Sequence, residues 1–300
     1  MENNNILTII KIHRPNLSEN SLKTYNSTLV NLYYSVYPND KLISSVKFFN
    51  FDDFINFLKD TPYNKRKSKL SALVVITNSN KENPNPYQTL MMEDIHKWDA
   101  EQKKQIINPD TEQISQEEVK TILKKYEEVF NSKTSSIQDK QDYIILCLSS
   151  GAYIPPRRSL DWCELKFKNI NKDTDNFIKT IGGKFPTFVL NKYKTNKSYG
   201  TTLIKIPPEL VKILKKWLAI IKPINTETIL FDKNMNPLTA VKFTQRLNKI
   251  FNGKISVNAL RHSYTTEKYE DVEMPPLEEI EETAKLMGHS LTQHLEYIKK

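Results

Sequence analysis

Two adjacent arginines, Arg157 and Arg158, stand out by residue type. They follow Pro155-Pro156, and Asp161 lies three residues after Arg158. Only six of the 44 basic residues in the chain are arginines. A guanidinium binds phosphate through two parallel hydrogen bonds, which lysine does not reproduce. The pair therefore indicates phosphate binding; the alternative is a surface salt bridge at the start of a helix.

A second group consists of Lys192, Lys194 and Lys197, which lie in a polar stretch that ends at Gly200. The apolar segments 185–190 and 201–206 flank this stretch and predict a β-hairpin with the lysines at its tip. Lysines on such a turn can reach a DNA groove or donate a proton to a leaving oxygen. The alternative interpretation is a solvated β-turn.

Two segments near the C-terminus combine arginine, histidine and tyrosine. One is Asn258-Ala259-Leu260-Arg261-His262-Ser263, and the other is Leu286-Met287-Gly288-His289-Ser290, with Tyr297 eight residues after the histidine. A lone histidine is more often structural than catalytic. Arginine, lysine, arginine, histidine and tyrosine in this order form a sharper pattern, which indicates a single site.

The net charge of +9 is concentrated in one part of the chain. Residues 150–260 carry 20 basic and 7 acidic side chains, whereas residues 261–300 carry more acidic than basic ones. A bound polyanion would explain this concentration, because each phosphate that is neutralised releases counterions. The only two cysteines, Cys147 and Cys163, match no metal-binding spacing, and neither a metal nor a cofactor is expected.

The composition is that of a globular protein, with 38% hydrophobic and 26% charged residues. No apolar run approaches the ~18 residues that a membrane-spanning helix needs. Residues 1–10 carry Glu2 where a secretion signal would be basic. We therefore expect an intracellular protein without a membrane partner.

The elements that must position these residues are mostly helices. In the N-terminal part, helical spacing predicts helices from Leu17, over 52–58, from Asn64 through Ile76, and over 90–107. Ser115 followed by Glu118 is a capping box that begins a second set, near 116–130, 137–150, 208–218, 238–251, 256–270, 277–287 and 291–298. Cys163, Leu165 and Phe167 alternate with polar residues and predict a further strand.

These elements predict a mainly α (α+β) fold with two domains. A small helical domain covers residues 1–107, a linker covers 108–115, and a larger domain with a small β-hairpin covers 116–300.

The C-terminal segments resemble the signature of the tyrosine recombinase/integrase family. Arg158 with Asp161 is similar to the family's first arginine motif, and Lys194-Thr195 is similar to the lysine on its catalytic-domain hairpin. Leu17–Tyr34 and the helix Lys65–Ile76 resemble its core-binding domain, so the resemblance covers nearly the whole chain. The Pro155–Arg158 variant and the turn 191–200 look most like recombinases of large DNA viruses, virophages and related mobile elements.

This resemblance implies an enzyme that integrates or recombines DNA at specific sites through a 3′-phosphotyrosine, with no cofactor consumed. Tyr297 would be the nucleophile, and Arg158 and Arg261 would hold the phosphate oxygens. His289 would hydrogen-bond the phosphate, and Lys194 would be the general acid.

Two of these assignments have rivals. Arg157 competes with Arg158, which is preferred because Asp161 stands where the family has a supporting acidic residue. Lys192 and Lys197 compete with Lys194 on the same turn.

The implied partner is double-stranded DNA, bound where the cell or virus keeps it, in the host nucleus or in the cytoplasm. Lys65, Arg66, Lys67 and Lys69 are candidates for phosphate contacts that position the protein, as are Lys192 and Lys197. Recombination in this family takes four protomers on two duplexes, so a homo-oligomer is implied, a tetramer in the synaptic complex.

Asn258 departs from the family pattern. That position usually carries histidine, or sometimes lysine, three residues before the second arginine. An amide can donate a hydrogen bond to phosphate but cannot shuttle a proton. His262 or water would then take the proton of the tyrosine.

Two other functions compete with recombination. A type IB topoisomerase shares this chemistry but relaxes supercoils as a monomer. A catalytically weakened recombinase relative that only binds DNA would retain the basic surface, and Asn258 is the residue that favours it.

Overall fold

The computed structural model describes residues 3–104, 114–182, 184–253, 255–270 and 275–298. The chain divides into two compact units, residues 1–104 and 105–300. The fold is mainly helical with one small antiparallel sheet, as the sequence predicted. Most of the predicted linker, 108–113, lies outside the described residues. Its last residues, Ile114 and Ser115, belong to the second unit, where Ile114 is buried in the core.

The first unit is a bundle of five described α-helices and one 3₁₀ helix. Their bounds are α1 Asn3–His13, α2 Glu19–Val36, the 3₁₀ helix Ser45–Phe49, α3 Phe51–Leu58, α4 Tyr63–Ile76 and α5 Pro86–Gln102. Ser18 caps α2 by accepting a hydrogen bond from the Ser21 backbone, 3.2 Å. The core is aromatic, with Phe48 stacked on Phe54 at 5.5 Å. The sequence did not predict α1.

Nine α-helices are described in the second unit. They are α6 Gln116–Asn131, α7 Ile137–Ser149, α8 Ser159–Cys163, α9 Asn196–Tyr199, α10 Pro208–Ile221, α11 Ala240–Phe251, α12 Val257–Lys268, α13 Leu277–Met287 and α14 Leu291–Tyr297. Ser115 caps α6 as predicted, because its hydroxyl accepts the Glu118 backbone N–H at 3.1 Å. Residues 144–148 of α7 are all buried, so this helix passes through the middle of the core.

The sheet has three antiparallel strands in the order β1-β2-β3, with β1 Phe177–Ile181, β2 Lys184–Leu190 and β3 Thr202–Lys205. The predicted hairpin corresponds to β2 and β3, in which Phe188 pairs with Ile204. Its tip is not a simple turn, since it contains the short helix α9. The sequence did not predict β1.

The strand predicted over Cys163, Leu165 and Phe167 is wrong. Cys163 ends the helix α8, and Lys166 makes only isolated bridges to Phe177 and Thr228. Cys163 and Leu165 are both buried in the core. Their alternation therefore reflects burial at a helix end and at a single bridge rather than a strand ladder.

Within the described ranges, no helix is long and apolar enough to cross a bilayer.

Candidate active site

Arg261 lies at the centre of the site, on the buried side of α12. Ser256 caps this helix by accepting the Ala259 backbone N–H at 3.2 Å, and Leu260 anchors it in the core. Arg261 is itself fully buried. Its Nη2 contacts Nδ1 of His289, whereas Nε and Nη1 have no hydrogen-bond partner among the residues that the structure describes. Burial lowers the pKa of the guanidinium to about 10, so it stays charged at neutral pH.

His289 follows the end of α13. Gly288 ends that helix in the left-handed conformation, with φ +72°. The histidine is 2% exposed, and its Nε2 lies 2.9 Å from Nδ1 of His294. Burial, followed by the positive charge of Arg261, lowers the pKa of His289 to about 2. The imidazole is therefore neutral at physiological pH.

Tyr297 is the last residue of α14, and it is 7% exposed. The guanidinium carbon of Arg261 lies 5.1 Å from the centre of its ring. The ring of His262 meets it edge to face, with 4.2 Å between centroids, and the ring of His289 lies 5.0 Å away. The carbonyl of Tyr297 accepts a hydrogen bond from Nδ1 of His262 at 3.2 Å. Arginine, both histidines and tyrosine thus meet in one place.

The adjacent arginines divide into two environments. Arg157 is fully buried; its Nε donates to Asp161 at 2.7 Å and its Nη1 donates to the carbonyl of Leu286 at 2.5 Å. Arg158 is half-buried and its Nη1 donates to the carbonyl of Gly288. Arg158 was preferred over Arg157 because of the position of Asp161 in the sequence. Asp161 lies one helical turn after Arg157 and forms its ion pair there.

The hairpin tip is joined to the same glycine. Thr195 donates from Oγ1 to the carbonyl of Gly288 at 3.2 Å, so this carbonyl accepts from both Thr195 and Arg158. Lys194, the residue before Thr195, is exposed. Lys192 forms an ion pair with Glu164 at 2.6 Å, and Lys197 is exposed on α9. Of the three tip lysines, Lys194 is the one next to the residue that contacts the site.

Asn258 lies in the first turn of α12, one helical turn before Arg261, and is exposed. This is the same helical face as Arg261, because residues three apart are neighbours on a helix surface. The side chain is therefore available to donate a hydrogen bond to a ligand, but it offers no titratable nitrogen.

The candidate DNA contacts of the first unit lie at the start of α4. Lys65 is exposed, and Lys67 and Lys69 are half-buried. The ammonium of Lys67 lies 4.2 Å from the centre of the Trp98 ring. Arg66 instead donates two hydrogen bonds to the buried carboxylate of Asp94, at 2.8 and 2.7 Å, which makes it a structural residue of this unit.

Three residues of the site were given no role from the sequence. His294 contacts His289, Thr195 contacts Gly288, and Gly288 itself accepts two hydrogen bonds. His294 carried one signal: it is a histidine between His289 and Tyr297, on a helix that ends at the tyrosine. The other two roles depend on backbone geometry, which residue types do not reveal.

The site combines a buried cation with unfilled donor groups and a phenol ring packed against it. Such an arrangement can hold an anion next to a tyrosine. In the part of the chain that the structure describes, no cluster of histidine, cysteine or acidic side chains could hold a metal ion.

Comparisons with known proteins find similarity in structure only. Neither a family model nor a curated protein sequence matches the chain. Solved structures of tyrosine recombinases and of a protelomerase are similar to it over nearly its full length, and the first of these is the group that the C-terminal motifs resemble.

Three of these structures illustrate the similarity. A XerA recombinase is 13% identical, with coverage of 100% of this chain and 94% of that one and a TM-score of 0.45. A lambda integrase dimer bound to a COC′ core site is 13% identical, with coverage of 98% and 97% and a TM-score of 0.49. A protelomerase TelA variant covalently complexed with substrate DNA is 12% identical, with coverage of 99% and 94% and a TM-score of 0.47. Similarity at this level carries no information on activity or residue roles.

Proposed function

We propose that this chain is a site-specific recombinase that cleaves and rejoins DNA strands through a 3′-phosphotyrosine intermediate. The observation that carries the proposal is the unfilled guanidinium of Arg261 beside the ring of Tyr297. Two of its nitrogens are buried and have no partner in the described ranges, although an unpaired buried charge is costly. A phosphate presents two oxygens with the spacing that a guanidinium recognises.

The reaction exchanges one phosphodiester for another. The hydroxyl oxygen of Tyr297 attacks the scissile phosphorus, a bond forms between them, and the bond from phosphorus to the 5′-oxygen breaks. Lys194 gives its proton to that departing oxygen. In the second step a 5′-hydroxyl attacks the phosphotyrosine and releases Tyr297. Because the covalent intermediate stores the phosphodiester energy, no cofactor is consumed.

The two arginines stabilise the transition state, in which negative charge grows on the non-bridging oxygens. A fixed donor aimed at such charge typically contributes ~3–4 kcal/mol. Arg261 supplies Nε and Nη1. Arg158 is the better second donor, because it is half-buried and holds only the Gly288 carbonyl, whereas Arg157 is buried against Asp161 and Leu286.

His262 is the group that we assign to accept the proton of Tyr297. A carbonyl only accepts hydrogen bonds, so the contact from Nδ1 to the Tyr297 carbonyl places the proton of a neutral ring on Nδ1. Nε2 is then the basic nitrogen of that ring, which packs edge to face on the tyrosine. Asn258, which cannot accept this proton, would contact the phosphate.

Double-stranded DNA is the proposed partner, bound by the basic region 150–260. Lys65, Lys67 and Lys69 in the first unit, and Lys192 and Lys197 at the hairpin tip, would contact phosphates that fix the protein's position on the duplex. Exchange between two duplexes would take four copies of the chain. The chain would act in the compartment that holds the DNA, as part of a viral or other mobile element.

A nicked suicide substrate tests the proposal. The full chain is incubated with a pool of duplexes that have a randomised central sequence and a nick, whose position differs among the duplexes of the pool. Where cleavage occurs close to the nick, the short cleaved strand diffuses away and the covalent intermediate is trapped. The wild type is expected to form a covalent adduct that survives SDS. Tyr297→Phe is expected to lose it, and Tyr126→Phe, which removes a half-buried hydroxyl on α6, is expected to keep it.

The outcomes separate the three candidate functions. An adduct with strand exchange between two duplexes supports the recombinase. An adduct with supercoil relaxation and no exchange would instead identify a topoisomerase. DNA binding by the wild type without any adduct would leave a DNA-binding protein and overturn the proposed reaction.

A further inference from the structure

A chain of three hydrogen bonds extends from Arg261 to the far side of His289. Arg261 Nη2 contacts His289 Nδ1. His289 Nε2 lies 2.9 Å from His294 Nδ1, and His294 Nε2 lies 3.3 Å from the hydroxyl of Tyr269. All four residues are at most 5% exposed. His294 and Tyr269 have no part in the proposed reaction.

The chemistry of the first residue determines the direction of the whole chain. A guanidinium only donates, so Nδ1 of His289 must accept. A neutral His289 then carries its proton on Nε2 and donates it to Nδ1 of His294. His294 in turn carries its proton on Nε2 and donates it to the hydroxyl oxygen of Tyr269. With both imidazoles neutral, this is the proton arrangement that satisfies all three contacts.

Burial keeps both imidazoles neutral, as this arrangement requires. It lowers the pKa of His294 to about 4, with Lys268 and Arg261 adding to the effect, and it lowers the pKa of His289 to about 2. A proton added to His294 would turn Nδ1 into a second donor that faces the Nε2–H of His289. The contact between the two rings would then be repulsive.

We propose that His294 and Tyr269 are positioning residues, which hold His289 in its Nε2–H tautomer so that His289 keeps Arg261 turned with Nε and Nη1 toward the phosphate. The inference rests on the proposed recombinase function. Since both nitrogens of His289 are engaged in this arrangement, His289 acts on the phosphate through Arg261 rather than by a direct hydrogen bond.

Two substitutions at His294 separate the hydrogen bond from simple packing. His294→Asn places an amide oxygen near the position of Nδ1 and still accepts from His289. His294→Leu fills a similar space but accepts nothing. The full chain is used with the nicked duplex that forms the adduct with the wild type. The cleavage rate is measured at saturating DNA, and the half-saturating DNA concentration is measured separately.

We expect His294→Leu to slow cleavage roughly 10- to 100-fold, by analogy with the loss typical when the hydrogen-bond partner of a metal-binding histidine is removed. The asparagine variant should restore most of the rate, and the half-saturating DNA concentration should change little in either variant. His96→Asn, at an exposed histidine on α5, is the control that keeps the wild-type rate. Equal losses in the leucine and asparagine variants would overturn the proposal.

Side-chain ¹⁵N NMR provides a readout independent of cleavage. The chain has five histidines, so the two resonances can be assigned with the single variants. In the wild type, His289 and His294 should both be neutral with the proton on Nε2, and the Nε2 resonance of His289 should shift in His294→Leu, because its N–H loses its acceptor. A proton on Nδ1 of His289 in the wild type would overturn the hydrogen-bond chain.

If His294→Leu does not fold, Tyr269→Phe is the variant that tests the hydrogen-bond chain. It retains the edge-to-face ring contact with His294, now 5.7 Å between centroids, and removes the last acceptor. A smaller loss of cleavage rate is expected, with an altered His294 resonance. If the wild type forms no adduct at all, the proposed function fails, while the NMR tautomers still decide the hydrogen-bond chain.

Discussion

Arg66 in the first unit and Arg261 in the second are largely or completely buried, and the two are satisfied very differently. In the first unit, the Arg66 side chain is 14% exposed and lies against a fully buried Asp94, to which it donates two hydrogen bonds of 2.8 and 2.7 Å. A third hydrogen bond goes to the carbonyl of Lys59 at 3.2 Å. In the second unit, the guanidinium of Arg261 has one hydrogen-bond partner among the described residues, the neutral His289, and it packs on the ring of Tyr297.

The difference distinguishes a residue whose charge is paired within the protein from one to which the proposed function assigns a ligand. Arg66 neutralises a buried carboxylate, so its charge is used within the protein. Arg261 forms no ion pair with a residue that the structure describes, and burial lowers its pKa to about 10. Arg157 is intermediate, with Nε and Nη1 engaged and Nη2 without a described partner. Buried donors without a partner cost the fold stability.

The largest expected effect is on stability, at Arg66. Arg66→Met leaves the buried carboxylate of Asp94 without a partner and should lower the free energy of unfolding by about 3–5 kcal/mol. The double variant Arg66→Met/Asp94→Leu removes both charges and should recover most of that loss. Urea unfolding of the full chain measures both. A double variant as unstable as the single one would contradict the assignment of Arg66 to the fold.

Arg261 should show the opposite behaviour. Arg261→Lys keeps the charge but removes the forked donors, so adduct formation should slow by about 10²–10³-fold. The free energy of unfolding should fall less than in Arg66→Met, because no described carboxylate loses its ion-pair partner. Arg246→Lys is the matched control, because Arg246 pairs with the buried Asp142. It should lose stability and keep its cleavage rate. Similar losses of stability and of cleavage rate in the two variants would mean that Arg261 and Arg246 have the same kind of role.

A substitution at Gly288 tests how closely the guanidinium of Arg157 packs against this glycine. A Cβ at Gly288, where φ is +72°, would lie 2.6 Å from Nη2 and 3.0 Å from Cζ of Arg157. Gly288→Ala should cost about 1–3 kcal/mol of stability and slow cleavage. Gly182→Ala has a similar positive φ, but its Cβ meets nothing within 4 Å. The difference between the two variants in urea unfolding isolates the contact with Arg157, and equal losses would mean that the contact is unimportant.

The smallest effect is a pH dependence from His294. Its pKa is about 4 in the folded protein and near 6.5 when unfolded. Between these values the unfolded state binds more protons, so stability is full above about pH 6.5 and falls as the pH drops toward about 4. Thermal unfolding at a series of pH values should show a shallower fall for His294→Asn than for the wild type. His96→Asn should retain the wild-type slope, and an unchanged slope in His294→Asn would contradict the buried neutral imidazole.

Much of the helical framework could be predicted because its signals are local. Ser18 and Ser115 cap the helices that their neighbours suggested, and helical spacing placed α12, α13 and α14 within one or two residues. The strand predicted over Cys163, Leu165 and Phe167 is wrong because it, too, was inferred from a local pattern. Alternating apolar residues report burial, and burial occurs at helix ends as well as in strands.

The motifs around Arg261, His289 and Tyr297 were visible in the amino-acid sequence, since residue type and spacing are local properties. Their partners were not. Asp161 forms its ion pair with Arg157, and Arg66, a candidate for a phosphate contact, forms one with Asp94. The position of His294 between His289 and Tyr297 was visible, but its ring-to-ring contact with His289 was not.

The sequence by itself determined which chemical groups this protein has, the order in which they occur, and the helices that carry them. The tertiary structure alone decided which of those groups are paired and which are left unfilled. The reason is physical: a helix is specified by contacts between residues a few positions apart, whereas the partner of a buried charge can come from any part of the unit. Arg66 and Arg261 are the same residue type, each on a helix. Only the fold around them gives Arg66 a carboxylate partner and places Arg261 over a tyrosine ring, with two nitrogens unpaired among the described residues.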